Sequence, residues 1–376
     1  MIYFDSAATS FQKPAAVRRA VLEAMEKMSS PARGDYLPAR RGAETLYRCR
    51  EEAASFFGME NSENVVFTFN ATHALNIAIR SLVKDGDRVV ISGYEHNAVT
   101  RCLASFENLE VAVAKVPLFN RTTMAEAFDR LITRDTAAVI CTHVSNVFGF
   151  VLPIEEIAEM CRGRGIPLVV DASQSAGSMA VDMKKWQATF VAMPGHKGLL
   201  GPQGTGLLLC GGAAQPLLYG GTGSGSLKQE MPDFLPDRLE AGTHNVPGIA
   251  GLLQGIRYIK GLGFTAIENK KENLVKTFAD AMSGASRCRL FLPPQGQRRS
   301  GVISAVFEGM ECEEMAAELA RRGICVRAGY HCAPLAHATA GTLNGGTVRF
   351  SFSPFNTREE VLRGAETVRD ILLRRR

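Results

Sequence analysis

The chain of 376 residues has one tryptophan and only 7 % aromatic residues. No run of apolar residues approaches the roughly 20 needed to span a bilayer, so a membrane protein is not expected. The start, Met1-Ile2-Tyr3-Phe4-Asp5, has neither the basic opening nor the apolar stretch of a secretory signal. Nine cysteines, an odd number without regular spacing, do not make a disulfide framework. They predict free thiols in a reducing compartment, hence a cytoplasmic protein. No Gly-x-x-x-x-Gly-Lys-Ser/Thr occurs, and Gly221-Thr222-Gly223-Ser224-Gly225 lacks the spacing and preceding strand of a dinucleotide fingerprint. Internal repeats and low-complexity tracts are also missing. Net charge is only +5 and is spread along the chain, apart from the tail Arg374-Arg375-Arg376. That tail reads as a solvated helix end, and no nucleic-acid partner is expected.

What is present is an ordinary globular composition, 46 % apolar and 22 % charged, in a chain long enough for a large core and two domains. Residues 15–28 have a helical apolar face formed by Val17, Val21, Leu22 and Met25. A loop from Ser29 to Arg41 and a helix to Phe57 follow. Strands are then expected at 65–69, 88–91, 111–113, 137–142, near 168 and 188, and at 206–209, alternating with helices. Near-continuous apolar strands separated by helices predict an α/β fold with a mainly parallel sheet covered on both faces. After about Ala250 the pattern changes. Helices at 249–262, 266–282 and 313–322, strands at 302–307, 325–327 and 348–352, and a last helix capped by Thr357 predict a smaller α+β domain. Residues 220–237, rich in Gly, Ser and Pro, are too long for an ordinary connection and read as a functional loop or hairpin.

The chemistry concentrates on two strand ends. Leu168-Val169-Val170-Asp171 ends in a carboxylate, and the next strand runs into Pro194-Gly195-His196-Lys197-Gly198. A lysine at the mouth of an apolar strand is partly desolvated, which makes its amine a nucleophile toward a carbonyl. Alone, it reads equally as a solvated loop lysine. With Asp171 upstream, the pair fits a pyridoxal phosphate site, with Lys197 forming the Schiff base and Asp171 holding the pyridine nitrogen protonated. Ligands of open α/β sheets bind at the carboxyl ends of strands, where other polar residues also fall. Asn70-Ala71-Thr72-His73 opens a helix, as an ordinary cap or a phosphate site. His96 could stack on an aromatic ring or be an idle loop histidine. Asn146, Ser173 and Gln174 are turn formers or partners of a ring substituent. Arg349, within Val348-Arg349-Phe350, is either ion-paired or grips a substrate carboxylate. Cys332 follows a strand, among His331, His337 and the upstream Arg327. A zinc reading there lacks a second Cys or His pair at ligand spacing, so no metal is expected.

Taken in order, these motifs resemble the class V, fold-type I pyridoxal phosphate enzymes, and within them the cysteine desulfurases and selenocysteine lyases. The resemblance runs from Tyr3-Phe4-Asp5-Ser6-Ala7-Ala8-Thr9 to Arg349. It is carried by Ala71-Thr72, Glu95-His96, Ser145-Asn146, Asp171 with Gln174, Gly195-His196-Lys197, Glu240-Ala241-Gly242-Thr243 and Arg327-Ala328-Gly329-Tyr330-His331-Cys332. The short Arg-x-Gly-x-His-Cys loop is similar to that of the group II enzymes. The resemblance implies an N-terminal segment 1–15 packing near the small domain, a large cofactor-binding domain 16–255 and a small domain 256–376. It implies that Lys197 carries the cofactor and moves protons, that Asp171 pairs with the ring nitrogen, and that Gln174, near Asn146, pairs with the ring hydroxyl. His96 would stack on the ring, Ala71, Thr72 and His196 would hold the phosphate, and Thr243 would reach it from the other subunit of a homodimer. Arg349, Asn146 and Ala7 would meet the substrate, and Cys332 would take its sulfur. The implied reaction converts cysteine to alanine and leaves a persulfide on Cys332 for an acceptor protein.

Alternatives within the resemblance are selenocysteine lyase chemistry, with selenium passed on, and a transaminase or β-lyase for which Cys332 is incidental. A non-catalytic sulfur-trafficking scaffold is a third reading, opposed by intact Lys197 and Asp171. Three features depart from the family pattern. His73 replaces an acidic residue, Pro194 replaces a Ser or Thr, and one extra residue lies between Lys197 and Gly201-Pro202. They point to a divergent subfamily, whose substrate need not be plain cysteine.

Overall fold

The computed structural model describes residues 1–31 and 34–374, so Arg375 and Arg376 of the basic tail lie outside the described residues. The strands, in chain order, are β1 (Ile2–Tyr3), β2 (Val65–Thr68), β3 (Arg88–Ser92), β4 (Glu110–Ala114), β5 (Thr136–Thr142), β6 (Leu168–Asp171) and β7 (Phe190–Pro194). They continue with β8 (Gly206–Cys210), β9 (Cys288–Phe291), β10 (Val302–Phe307), β11 (Ile324–Cys325), β12 (Arg327–Gly329) and β13 (Thr347–Ser351). Seven of them form one sheet in the order β2-β8-β7-β6-β5-β3-β4. Only β8 runs against its neighbours. The connection 195–205 between β7 and β8 is too short to hold the crossover helix that a parallel return needs. β6, β7 and β8 are buried along their whole length, as expected of strands covered on both faces.

A second sheet, β12-β13-β10-β9, is antiparallel throughout. The N-terminus joins this half of the molecule. β1 pairs with β11, Phe4 packs edge-on against Phe352 at 5.0 Å, and Asp5 bridges to Ser351. The helix Val246–Leu262 runs unbroken past residue 255 and links the two halves. No helix among the described residues is long and apolar enough to cross a membrane.

Local differences from the sequence reading have simple causes. The second helix begins at Leu37, inside the expected loop, because Pro38 falls in its first turn, where no N–H is needed. The strand expected at 325–327 is two strands, β11 pairing with the N-terminus and β12 with β13. Periodicity could not separate runs of two and three residues. β9 and the seven-residue helix Pro334–Ala340 are additional elements. The segment 220–236 forms turns and no strand, with Leu227 fully exposed.

Candidate active site

The parallel strands end on one side of the large sheet, and the loops that follow them supply one wall of a cavity of about 810 Å³, open mouth included. Ala71 and Thr72 come after β2, His96 after β3, Asn146 after β5, Asp171 and Gln174 from the end of β6, and His196 and Lys197 after β7. The small half contributes Arg327, His331 and Arg349, and the N-terminal segment contributes Ala7 and Ala8. The lysine turn fits because its glycines leave room. A Cβ on Gly198 would come within 2.2 Å of the Ala176 carbonyl, and one on Gly195 within 2.1 Å of Thr205 Oγ1.

At one end of the cavity the helix Ala71–Leu82 presents its N-terminus, where Asn70 Oδ1 caps the His73 N–H at 2.9 Å. The first N–H groups of a helix have no partner inside it and favour an anion. His196 stands nearby with Nδ1 3.0 Å from Thr9 Oγ1, and burial lowers its pKa to about 4, so the ring is neutral. His73 turns away from the cavity and stacks on Phe69, with centroids 4.7 Å apart.

In the middle, Asp171 is buried and accepts the Ser173 N–H at 2.9 Å through Oδ1. Its other oxygen has no protein partner among the described residues. His96 accepts the Ala98 N–H at Nδ1 at 3.0 Å and so caps the helix Asn97–Leu103. Burial lowers its pKa to about 4, which leaves a flat neutral ring. Burial also brings Lys197 down to about 8, with Asp171 opposing the shift and Arg349 and Arg327 adding to it. Gln174 donates to the Ala7 carbonyl at 3.0 Å, tying the N-terminal segment to the cavity wall.

At the far end, Arg349 is 1 % exposed. Its Nη2 donates to Asp5 Oδ1 at 2.7 Å and its Nη1 to the Asn146 carbonyl at 3.0 Å, while Nε is buried without a partner among the described residues. The Asn146 side chain donates to the His331 carbonyl at 2.8 Å, and His331 Nε2 lies 3.1 Å from both oxygens of Thr347. His331 and Cys332 both adopt left-handed backbone, with φ of 50° and 57°. Such residues cost about 1–3 kcal/mol each and persist where surrounding bonds fix them. Here those bonds come from Asn146 and from Asn97, whose N–H donates to the Cys332 carbonyl at 2.7 Å. The thiol stands at the rim, exposed, with Arg327 Nη2 3.5 Å from its sulfur. The other eight cysteines are buried or half-buried. Thr243 is not brought to this cavity. It is exposed in a separate hollow with Glu240, His244 and Phe67. Among the described residues no cluster of His, Cys, Asp or Glu has the makings of a metal site.

Asp5 and Glu95 have functional surroundings that the sequence reading did not assign to them. For Asp5 the available signal was its place three residues before Ala8 in the N-terminal motif, but its partner is 344 positions away. Removing one member of a buried ion pair leaves an uncompensated charge and costs about 3–5 kcal/mol. Asp5→Asn is expected to cost near the lower end, about 3 kcal/mol, because its carboxylate is partly exposed. Denaturant unfolding measures this, and an unchanged midpoint would mean that Arg349 has another counter-charge.

Glu95 is fully buried behind the cavity. Oε1 accepts from Ser92 and from the Thr142 N–H at 2.9 Å, and Oε2 has no partner among the described residues. Burial pushes its pKa up to about 8, with the nearby Asp171 charge adding to the rise. The folded state therefore holds this proton over the window from the ordinary carboxyl range to about pH 8, where the unfolded chain has released it. Stability should fall across that window as pH rises. Glu95→Gln is expected to flatten the decline and to exceed the wild type in stability above pH 8. Parallel slopes for the two proteins would refute a protonated Glu95.

The chain matches the family model described as aminotransferase class-V over residues 2–363. It is 33 % identical to a probable cysteine desulfurase of Methanothermobacter thermautotrophicus, over 98 % of this chain and 94 % of that one. It is also 33 % identical to a probable cysteine desulfurase of Pyrococcus abyssi, over 96 % and 92 %. Among solved structures it is similar to the apo cysteine desulfurase of Thermococcus onnurineus, with a TM-score of 0.90 and 30 % identity, covering 99 % of this chain and 94 % of that one. A cysteine desulfurase of Escherichia coli gives a TM-score of 0.85 at 27 % identity, with the same coverage of both chains.

Proposed function

The chain belongs to the class V aminotransferase family, and from that membership and the donor set of its cavity we propose that it is a pyridoxal phosphate-dependent cysteine desulfurase. The observation that carries this reading is the meeting of Lys197, Asp171, His96 and Arg349 in one cavity with Cys332 at its rim. The residues fit the cofactor. A helix N-terminus with Thr72 and His196 suits a phosphate, a buried carboxylate suits a pyridinium nitrogen, a neutral imidazole suits a ring face, and a lysine of lowered pKa suits an aldehyde. When bound, pyridoxal phosphate supplies that aldehyde and a sink for the charge that develops on the substrate's α carbon.

The protein's part is positioning and proton transfer. Arg349 holds the substrate carboxylate. Lys197, with its pKa near 8, is available as a base near neutrality and takes the α proton. Asp171 would pair with the cofactor's ring nitrogen and favour its protonated form. The Cys332 thiolate bonds to the substrate sulfur as the substrate's Cβ–S bond breaks. The electron pair passes to the carbon chain, which takes up one proton at Cβ and regains one at Cα, giving alanine and a persulfide on Cys332. The exposure of Cys332 leaves that sulfur open to an acceptor protein or a reductant.

In this reading the enzyme is a cytoplasmic homodimer, and Thr243, exposed and away from its own cavity, reaches the phosphate of the second copy. A paired assay tests the activity. Alanine and sulfide should appear in equal amounts from cysteine in the presence of a reductant. Pyruvate in place of alanine would reject the desulfurase in favour of a β-lyase, and a sulfur-bearing 2-oxo acid without sulfide would favour a transaminase. Turnover of selenocysteine far above that of cysteine would move the assignment to a selenocysteine lyase.

A further inference from the structure

Behind Lys197 lies a second cavity, of about 510 Å³ including its mouth, and Lys197 stands in the wall common to both. Several separate parts of the chain line it, among them the N-terminal segment with Ser6, the turn after β6 with Ser178, the Lys197 turn, the helix Phe264–Ala281 with Lys271, and the end of β13. Its lining holds two lysines and no carboxylate. Lys271 Nζ donates to Ser178 Oγ at 3.1 Å. Glu268, the acid that acts on it electrostatically, is taken by Arg298 at 2.5 Å.

The donors are therefore underused. One of three ammonium N–H groups of Lys271 is spent. Ser178 Oγ accepts that bond, and no acceptor for its own hydrogen is found among the described residues. Ser6 Oγ is buried without a partner among the described residues. Buried donors without acceptors are costly, and a cation facing hydroxyls in a lining that holds no carboxylate suits an anion bearing several oxygens. Burial brings Lys271 down to about 8, which leaves it cationic near neutral pH.

We propose that this cavity binds a small oxyanion, either inorganic or the carboxylate of a small organic acid, among Lys271, Ser178 and Ser6, and that the anion acts on Lys197 from the side away from the substrate. It would join the helix Phe264–Ala281 to the turn after β6, and so the two halves of the molecule. Lys197 lines the same cavity, and a negative charge there favours its protonated amine.

The test is calorimetric titration of the cofactor-loaded enzyme with inorganic phosphate and, separately, with acetate, at constant ionic strength. In the loaded enzyme the cofactor's own phosphate would take the helix N-terminus at Ala71, so that site would not contribute. We expect saturable binding of one anion per chain, weakened at least tenfold in Lys271→Met and several-fold in Ser178→Ala. Preference for phosphate would identify an inorganic occupant, and preference for acetate a carboxylate. Saturating anion should raise the pH midpoint of the cofactor's absorbance change in the wild type and leave it unmoved in the variants. No saturable binding of either anion, or equal binding by wild type and variants, overturns the site. Binding without a shift of the midpoint overturns the coupling to Lys197. Should Lys271→Met fail to fold, Ser178→Ala decides alone. Because binding is read without turnover, its outcome is independent of which reaction the neighbouring cavity catalyses.

Discussion

Lys197→Ala is expected to yield a folded protein that carries no covalently held cofactor and has lost turnover by at least about 10⁴-fold. Two roles end together. The amine that would join the cofactor is gone, and so is the base that would move the α proton. The burial that lowers Lys197 to about 8 is what makes it competent for both. At neutral pH a group with that pKa is unprotonated in roughly a tenth of molecules, against a few in ten thousand for an ordinary lysine. Asp171, which pulls the pKa upward, keeps the shift from going further. Folding should survive, because the turn around residue 197 is fixed by backbone. The Gly201 N–H donates to the Gly195 carbonyl at 2.8 Å and the Leu200 N–H to the Lys197 carbonyl at 3.0 Å. Borohydride treatment of the wild type followed by peptide mapping should find the cofactor on Lys197. Recovery on another lysine, such as Lys271 in the adjoining cavity, would show the assignment to be misplaced.

The large sheet was legible because its strands are apolar runs bounded by turn residues, and their ends mark where ligands gather. Asp171 and Lys197 could be paired from sequence because β6 and β7 are consecutive and lie side by side. The contacts that complete the cavity could not be read in that way. Arg349 meets Asp5 across 344 positions, and Asn146 meets His331 across 185. Periodicity carries no information about such distances. The Glu95 side chain was also hidden, since a carboxyl beside a histidine in a loop looks solvated until the sheet closes over it. Asn146 is the clearest case. Placed by resemblance beside the cofactor ring, it lines the cavity and also ties the Arg349 strand to the Cys332 turn.

Cys332→Ser should abolish cysteine desulfuration while leaving cofactor binding and its colour intact. The thiol is the exposed one among nine cysteines and is held in a left-handed turn, where its backbone has no freedom to retreat. A substrate held through its carboxylate on Arg349 would have its side chain free to extend toward the rim, where Arg327 stands 3.5 Å from the Cys332 sulfur. A hydroxyl keeps the size and the turn but is a poor nucleophile toward sulfur, so the loss should reach at least about 10³-fold. Cofactor binding should not follow, because Cys332 does not line the cavity wall that holds Asp171 and Lys197. The buried cysteines give the control. Cys141 and Cys210 are in strands of the large sheet, and burial raises their pKa, to about 12 for Cys210, so they behave as small apolar groups. Their exchange for serine should affect stability and not the sulfur step. Mass spectrometry of the wild type after incubation with cysteine should find one added sulfur on the Cys332 peptide, removable by a reductant. If Cys332→Ser releases sulfide at a near-normal rate without added thiol, the persulfide step is absent and the cavity eliminates sulfur directly, as a β-lyase does.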